Sequence, residues 1–567
     1  MPRLTLARSA LTALALVTAH AAMAQDIGPG IAGPYLAARS AVVAGDHRVA
    51  ATYFDRALLA DPNNSALVGN ALFANASLGN WDRAATVVDL LDPDAPGQDL
   101  AGLVRFVNHI RAGDLIAARQ AIEAGAGAGP FIDDLALGWI HLGEGDMRRA
   151  SETFERVAED QSLGLIAYLQ LAYARAAVGD FEGADAILSG EEVGTLQPTE
   201  RSARAHAQIL VQLDRRDDAI EMLEFFTQAV PDPAILTLLD TLRTEDEPGD
   251  YTFLTTPQQG LAEVFYIVSR ALGTDDVAGN LPLVYAQAAR GIDPRHSEAT
   301  LFAGEILTQE EQYDLAAEVF ASIADDDVQY AEAQMGRADA LFEAGATEAA
   351  LNVLADLSQA RPDLATVHAA YGDMLRRSEQ CEAAIPVYTD ALDLMDTSRS
   401  TAWFLFYTRA ICYEDIGDWP PAESDFRRAL ELNPEQPSVL NYLGYSLVEQ
   451  RRNLDEALDM IERAVAARPS NGYITDSLGW VLYRLGRFDE AVEPMERAVE
   501  LEPNDPIIND HLGDVYWMVG RYREAEFQWH RALSFDPEPE DAERIRLKLE
   551  VGLYDVLEAE GGVGVTE

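Results

Sequence analysis

Large apolar residues recur along this chain at intervals of three and four, the spacing that lines up one face of an α-helix. The pattern is clearest in three stretches, 437–470, 472–505 and 506–537. Each opens on a helix carrying Leu-Gly: Leu443-Gly444, Leu478-Gly479 and Leu512-Gly513. Three residues after each glycine stands a large apolar residue, Leu447, Leu482 or Tyr516. A turn follows, and then a second helix carrying Ala457-Ile461-Ala464, Ala491-Met495-Ala498 or Ala525-Trp529-Ala532. Pro469, Pro503 and Pro537 end the units; the last two are 34 residues apart, and Arg451-Arg452 lengthens the turn of the first. The spacing predicts helical hairpins. Small residues belong where two helices cross, because a larger side chain would hold the axes apart. Glycine inside a helix costs about 1 kcal/mol, so its recurrence needs a packing reason.

The pattern extends towards the N-terminus with fading quality. It is readable at 404–434, 365–396, 331–362 and from Ser297 onward. In the first half, Ala50-Phe54-Ala57-Pro62, Gly138-Gly145-Ala150-Phe154 and Ala172-Gly179-Ala184-Leu188 are the best copies. Weaker ones fall at 65–91, 100–124 and 200–231, and a degenerate one at 261–294. The acidic, turn-rich run from Thr244 to Asp250 breaks the register. The expected organisation is a leader at 1–24, an N-terminal array at 25–243 and a joint at 244–260. A C-terminal array with a capping helix follows at 261–558, and a flexible tail at 559–567. Ile545, Leu549, Leu553 and Val556 give the capping helix its apolar face.

This repeat resembles the tetratricopeptide repeat, whose signature places Leu-Gly, an aromatic, Ala, Phe, Ala and Pro at these intervals. The resemblance implies an all-α fold, a right-handed superhelical solenoid of helix-turn-helix units. In that family the first helix of each unit lines the concave face, where extended peptides or partner helices dock. Carried onto this chain, it implies a partner-binding face of Asn441, Tyr445, Asp476, Trp480, Tyr483, Asp510, Asp514 and Trp517. Some members hold a peptide carboxylate with basic residues there; the matching positions in this chain are acidic or aromatic. In the same way it implies that Cys381 and Cys412, the two cysteines, sit near the facing ends of adjacent helices, a candidate disulfide. NYLGYSLVEQ, NGYITDSLGWVLYRLGRFDEA and NDHLGDVYWMVGRYREAEFQW resemble the large envelope repeat proteins of Gram-negative bacteria. That likeness implies a scaffold or adaptor for envelope protein processing or assembly, including service to a carboxyl-terminal processing protease. The alternative is a binding subunit for an exported polysaccharide.

Charge narrows the partners. Asp and Glu number 95 against 42 Lys and Arg, a formal net charge of −53. Phosphate backbones and anionic membrane surfaces are repelled, so basic and apolar protein segments are the expected partners. All the basic residues but Lys548 are arginines. Arg3 and Arg8, the apolar run Leu11–Val17 and Ala22-Met23-Ala24 read as a cleavable export leader, with Gln25 after the cut instead of a lipid-anchor cysteine. No later run is long enough to span a membrane. The expected location is periplasmic or secreted.

Catalytic signals are sparse. The histidines form no H-E-x-x-H pair, and no Walker, G-x-S-x-G or dinucleotide motif occurs. His511 and Asp514, three apart on one helix, read as a hydrogen-bonded or solvated pair before they read as metal ligands. No cofactor, no metal and no enzyme activity are expected.

Overall fold

The computed structural model describes residues 30–91, 98–160, 164–194, 196, 198–227, 233–245, 249–273 and 281–560. The leader at 1–24 and the tail from residue 561 lie outside the described residues. Among those described, the regular structure is helical throughout, apart from turns and bends, and contains no strand. Successive helices pair as hairpins and stack on the next pair. The chain forms two compact units, residues 1–353 and 354–567, and the division falls inside the helix Thr347–Ala360.

The signature residues form the core for the reason their sizes predict. Ala457, Ile461 and Ala464, Ala491, Met495 and Ala498, and Ala525, Trp529 and Ala532 are all fully buried. Gly444 lies in the helix Pro437–Glu449 where it crosses Leu454–Ala467; a Cβ there would stand 2.8 Å from Ile461 Cγ1. Helix starts are specified locally. The Asn471 side chain accepts from the Ile474 backbone N–H at 2.9 Å, and Asp505 does the same for Ile508 at 2.9 Å. The lengthened turn is made by Arg451 and Asn453, both left-handed at φ 54° and 46°. The bridge between Cys381 and Cys412 joins the start of Cys381–Asp393 to the late part of Trp403–Asp415, with Cα atoms 4.8 Å apart.

Unit 1–353 departs from a plain array. Its helices Pro257–Leu272 and Leu281–Ile292 lie back against earlier first helices of the same unit. Phe265 meets Phe106 with ring centroids 6.3 Å apart, and Phe253 meets Tyr173 at 5.2 Å. Trp81 Nε1 donates to the Gln287 carbonyl at 3.2 Å, and Gln287 Nε2 donates to the Ser77 carbonyl at 3.1 Å. Tyr251 and Leu254 are buried, so the 249–260 part of the expected joint is packed into this unit. The first-helix face of the N-terminal hairpins is therefore occupied by the chain itself.

Candidate interaction face

In unit 354–567 the first helices are Ala365–Arg377, Trp403–Asp415, Pro437–Glu449, Gly472–Arg484 and Pro506–Met518. Their equivalent positions form ladders: Tyr407, Asn441, Asp476 and Asp510 in one, Ile411, Tyr445, Trp480 and Asp514 in another. The ladders change character along the unit.

From residue 403 to 449 the face is accessible and aromatic. Phe404 is 42% exposed and Tyr442 36%, while Trp403, Tyr407, Ile411, Asn441 and Tyr445 are half-buried. Trp403 contacts Phe404 and Tyr407, and Tyr407 meets Tyr442 across the two helices at 5.9 Å. The Asn441 Oδ1 accepts no hydrogen bond. Burial, helped by the negative charge of Glu414, pushes the Tyr442 hydroxyl up to about 12; burial, with Glu449 and Asp476, pushes Tyr445 up as well. These phenols stay protonated and can donate.

From residue 472 onward the expected open face is closed. Asp476, Trp480, Tyr483, Asp510 and Asp514 are buried, and Trp517 is half-buried. Their positions on first helices are as expected; their exposure is not, because the next element covers each. Trp480 is stacked between Tyr483 and His511, with centroids 4.8 and 3.9 Å away, and its Nε1 donates to Glu449 at 2.6 Å. His511 Nδ1 donates to the Asp476 carboxylate at 3.0 Å. Burial opposes charge on this imidazole, but Asp476, Asp510 and Asp514 outweigh it and raise its pKa. Trp517 packs against Trp529 at 5.3 Å and Tyr522 at 4.7 Å.

The cover at the C-terminal end is the helix Pro539–Val551, followed by Leu553–Ala559. The expected single capping helix is broken at Gly552, so Ile545 is buried on the first piece and Leu553 and Val556 on the second, while Leu549 is half-buried. Lys548 is buried with them, its Nζ donating to both oxygens of Asp510 at 2.8 and 2.7 Å and to Asp514 at 2.6 Å. Trp529 Nε1 donates to the same Asp514 oxygen at 3.0 Å. Burial and the neighbouring Asp514 carboxylate raise the pKa of Asp510 against the opposing pull of Lys548.

A second charged centre, in unit 1–353, carried no sequence signal. Arg201 forms a two-toothed pair with the buried Glu263, its Nε 2.8 Å and its Nη2 2.6 Å from one carboxylate oxygen. His296 adds a contact to Glu263 at 3.2 Å, and Glu298 pairs with both Arg201 and Arg204. Burial alone would raise Glu263; Arg201, with His296, overrides it and brings the carboxyl to about 2. Beside this cluster lies a cavity of about 390 Å³ walled by Leu165, Leu169, Leu188, Met222 and Ile267. The Arg204 Nε is buried without a hydrogen-bond partner.

Among the described residues no group of three or more His, Cys, Asp or Glu is arranged to hold a metal, and no helix is long and apolar enough to cross a membrane.

The tetratricopeptide repeat model of one family matches residues 35–99, 407–472, 448–506 and 477–538, and a second tetratricopeptide repeat model matches 307–374. TPR repeat-containing protein PA4667 of Pseudomonas aeruginosa is 29% identical over 156 residues, spanning 27% of this chain and 26% of that relative. Among solved structures, the APC/C hetero-tetramer Cut9–Hcn1 aligns over 92% of this chain and 96% of its own, at 14% identity and a TM-score of 0.38. MamA from Desulfovibrio magneticus RS-1 aligns over 30% and 94%, at 20% identity and a TM-score of 0.28. Repeat signature, hairpin packing and family matches agree: the chain carries tetratricopeptide repeats, matched at 35–99, 307–374 and 407–538.

Proposed function

We propose that this chain is a non-enzymatic scaffold that holds a segment of another protein against the first-helix face of unit 354–567, in the bacterial cell envelope. One observation carries the reading: the half-open aromatic run Trp403, Phe404, Tyr407, Tyr442 and Tyr445 on two adjacent first helices. Large aromatics on a recessed face are the side chains whose truncation most often costs a complex 2 kcal/mol or more. The acid excess favours a partner with basic groups at the rim. An envelope location is supported by the leader pattern at 1–24 and by a disulfide, which persists in oxidising compartments. Service to envelope protein processing or assembly, including a carboxyl-terminal processing protease, follows from the resemblance of the last three hairpins to envelope repeat proteins.

The test is affinity capture from envelope extract with the full chain and with Tyr407→Ala/Tyr445→Ala. The variant should lose at least tenfold of the discrete protein held by wild type, with its helical circular dichroism intact. Equal capture by the two chains would remove this face from the account, and carbohydrate instead of protein in the eluate would support the polysaccharide alternative.

A further inference from the structure

The contact between the last full hairpin and the helix Pro539–Val551 is made of charge as much as of apolar surface. Asp510 and Asp514 stand one turn apart on Pro506–Met518, and Arg544 and Lys548 stand one turn apart on Pro539–Val551. Lys548 bonds both aspartates, and one Arg544 nitrogen lies 3.7 Å from an oxygen of each. One repeat earlier the equivalent Asp476 is closed by the His511 imidazole, from the next first helix. The helix Pro539–Val551 thus does for the last hairpin what a further hairpin would do.

It differs from a further hairpin in three ways. It ends at Gly552, held at φ +89° where a Cβ would stand 2.8 Å from the Trp517 ring, and the chain then turns into the short helix Leu553–Ala559. The exposed pair Arg544 Nε to Glu560, at 2.7 Å, links the two pieces. Its outer face carries exposed apolar residues, Leu547 and Val551, 42% and 43% exposed. Beneath it, Asp514 is fully buried, yet its Oδ2 accepts no hydrogen bond. That carboxylate has acceptor capacity which Lys548 and Arg544 leave unused.

We propose that Asp510 and Asp514 form a receptor for an amphipathic helix bearing two basic residues one turn apart, occupied at rest by the chain's own 539–559 segment and open to a partner helix of the same chemistry. The inference rests on reading the first-helix face as an interaction surface. Exchange of one helix carrying the basic pair for another keeps the buried carboxylates paired at both ends of the process, which avoids leaving a buried charge bare. A tethered occupant has an effective concentration of millimolar order. A free helix with the same basic pair therefore displaces it poorly, whereas a partner that also grips Tyr407, Tyr442 and Tyr445 gains the difference. The tether acts as a filter that admits segments long enough to reach both places.

The probe is a fluorescein-labelled synthetic peptide of residues 537–560, titrated by fluorescence anisotropy against the full chain. Wild type should bind it weakly. The full chain with Arg544→Glu/Lys548→Glu, in which the resident helix is repelled, should bind at least tenfold more tightly. Adding Asp510→Asn/Asp514→Asn should return binding to the wild-type level, as should a probe with glutamine at 544 and 548. A charge-reversed chain with intact helical circular dichroism that binds no better than wild type would overturn the proposal. Should that chain lose its fold, amide exchange on wild type decides: residues 539–559 must open independently of Pro506–Met518, and exchange only in step with it would overturn the proposal. Either failure leaves the partner capture by Tyr407 and Tyr445 standing, so the two readings fall separately.

Discussion

Trp480 lies parallel to His511 at 3.9 Å, and the same imidazole donates to Asp476 at 3.0 Å. Three side chains on adjacent first helices are thereby locked into one stack. Trp480→Ala should cost about 3–5 kcal/mol through the cavity left behind. It should lower the unfolding transition of unit 354–567 in a urea titration followed by circular dichroism. An unchanged transition would show that Trp480 is not packed as described.

The same stack makes stability depend on pH. The folded-state pKa of His511 is raised, so its contribution is fully present below the ordinary histidine value of about 6.5 and is lost as pH rises through the raised value. Melting temperatures across pH 5–9 should fall on the alkaline side for wild type relative to His511→Gln. Parallel profiles would contradict the pairing with Asp476.

Glu263 has the opposite sign. Its folded pKa of about 2 lies below the ordinary 4.5, so its stabilisation is present above 4.5 and lost as pH falls towards 2. Glu263→Gln should destabilise unit 1–353 by about 3 kcal/mol at neutral pH, since the buried Arg201 would lose its two-toothed partner and keep only Glu298. Its acid unfolding should also be flatter than that of wild type. A variant as stable as wild type at pH 7 would rule out the pair as a support of this unit.

The bridge between Cys381 and Cys412 closes a loop with a sequence separation of 31. Cys381→Ser/Cys412→Ser should lose about 3–4 kcal/mol in the chain-entropy account. Reductant should produce the same loss in wild type and none in the variant, as read by denaturant midpoints. Two free thiols in protein isolated without reductant would remove the bridge.

The hairpins and the buried small residues were legible because each depends on neighbours within one or two repeats. Gly444, Ala457 and Ile461 meet inside a single hairpin, and a 34-residue pattern reports them directly. What covers a face is not local. Asp510 and Asp514 read as an open acidic surface because the residue that closes them, Lys548, lies beyond the repeat. Its signal was present: it is the one lysine in the chain, set among the apolar residues Ile545 and Leu549. In unit 1–353 the covering helices break the repeat pattern. Contacts such as Trp81 to Gln287, separated by 206 residues, leave no periodic trace.

The central claim is that a partner protein lies on the first-helix face of unit 354–567. Site-specific photo-crosslinking in intact cells tests it most directly, with a benzophenone side chain placed at Phe404 or Tyr442 on that face and at Glu493 on the helix Phe488–Leu501. The account predicts that Phe404 and Tyr442 give a crosslink to one and the same protein and that Glu493 does not. Crosslinks that form from Glu493 alone, or equally from all three positions, would contradict it.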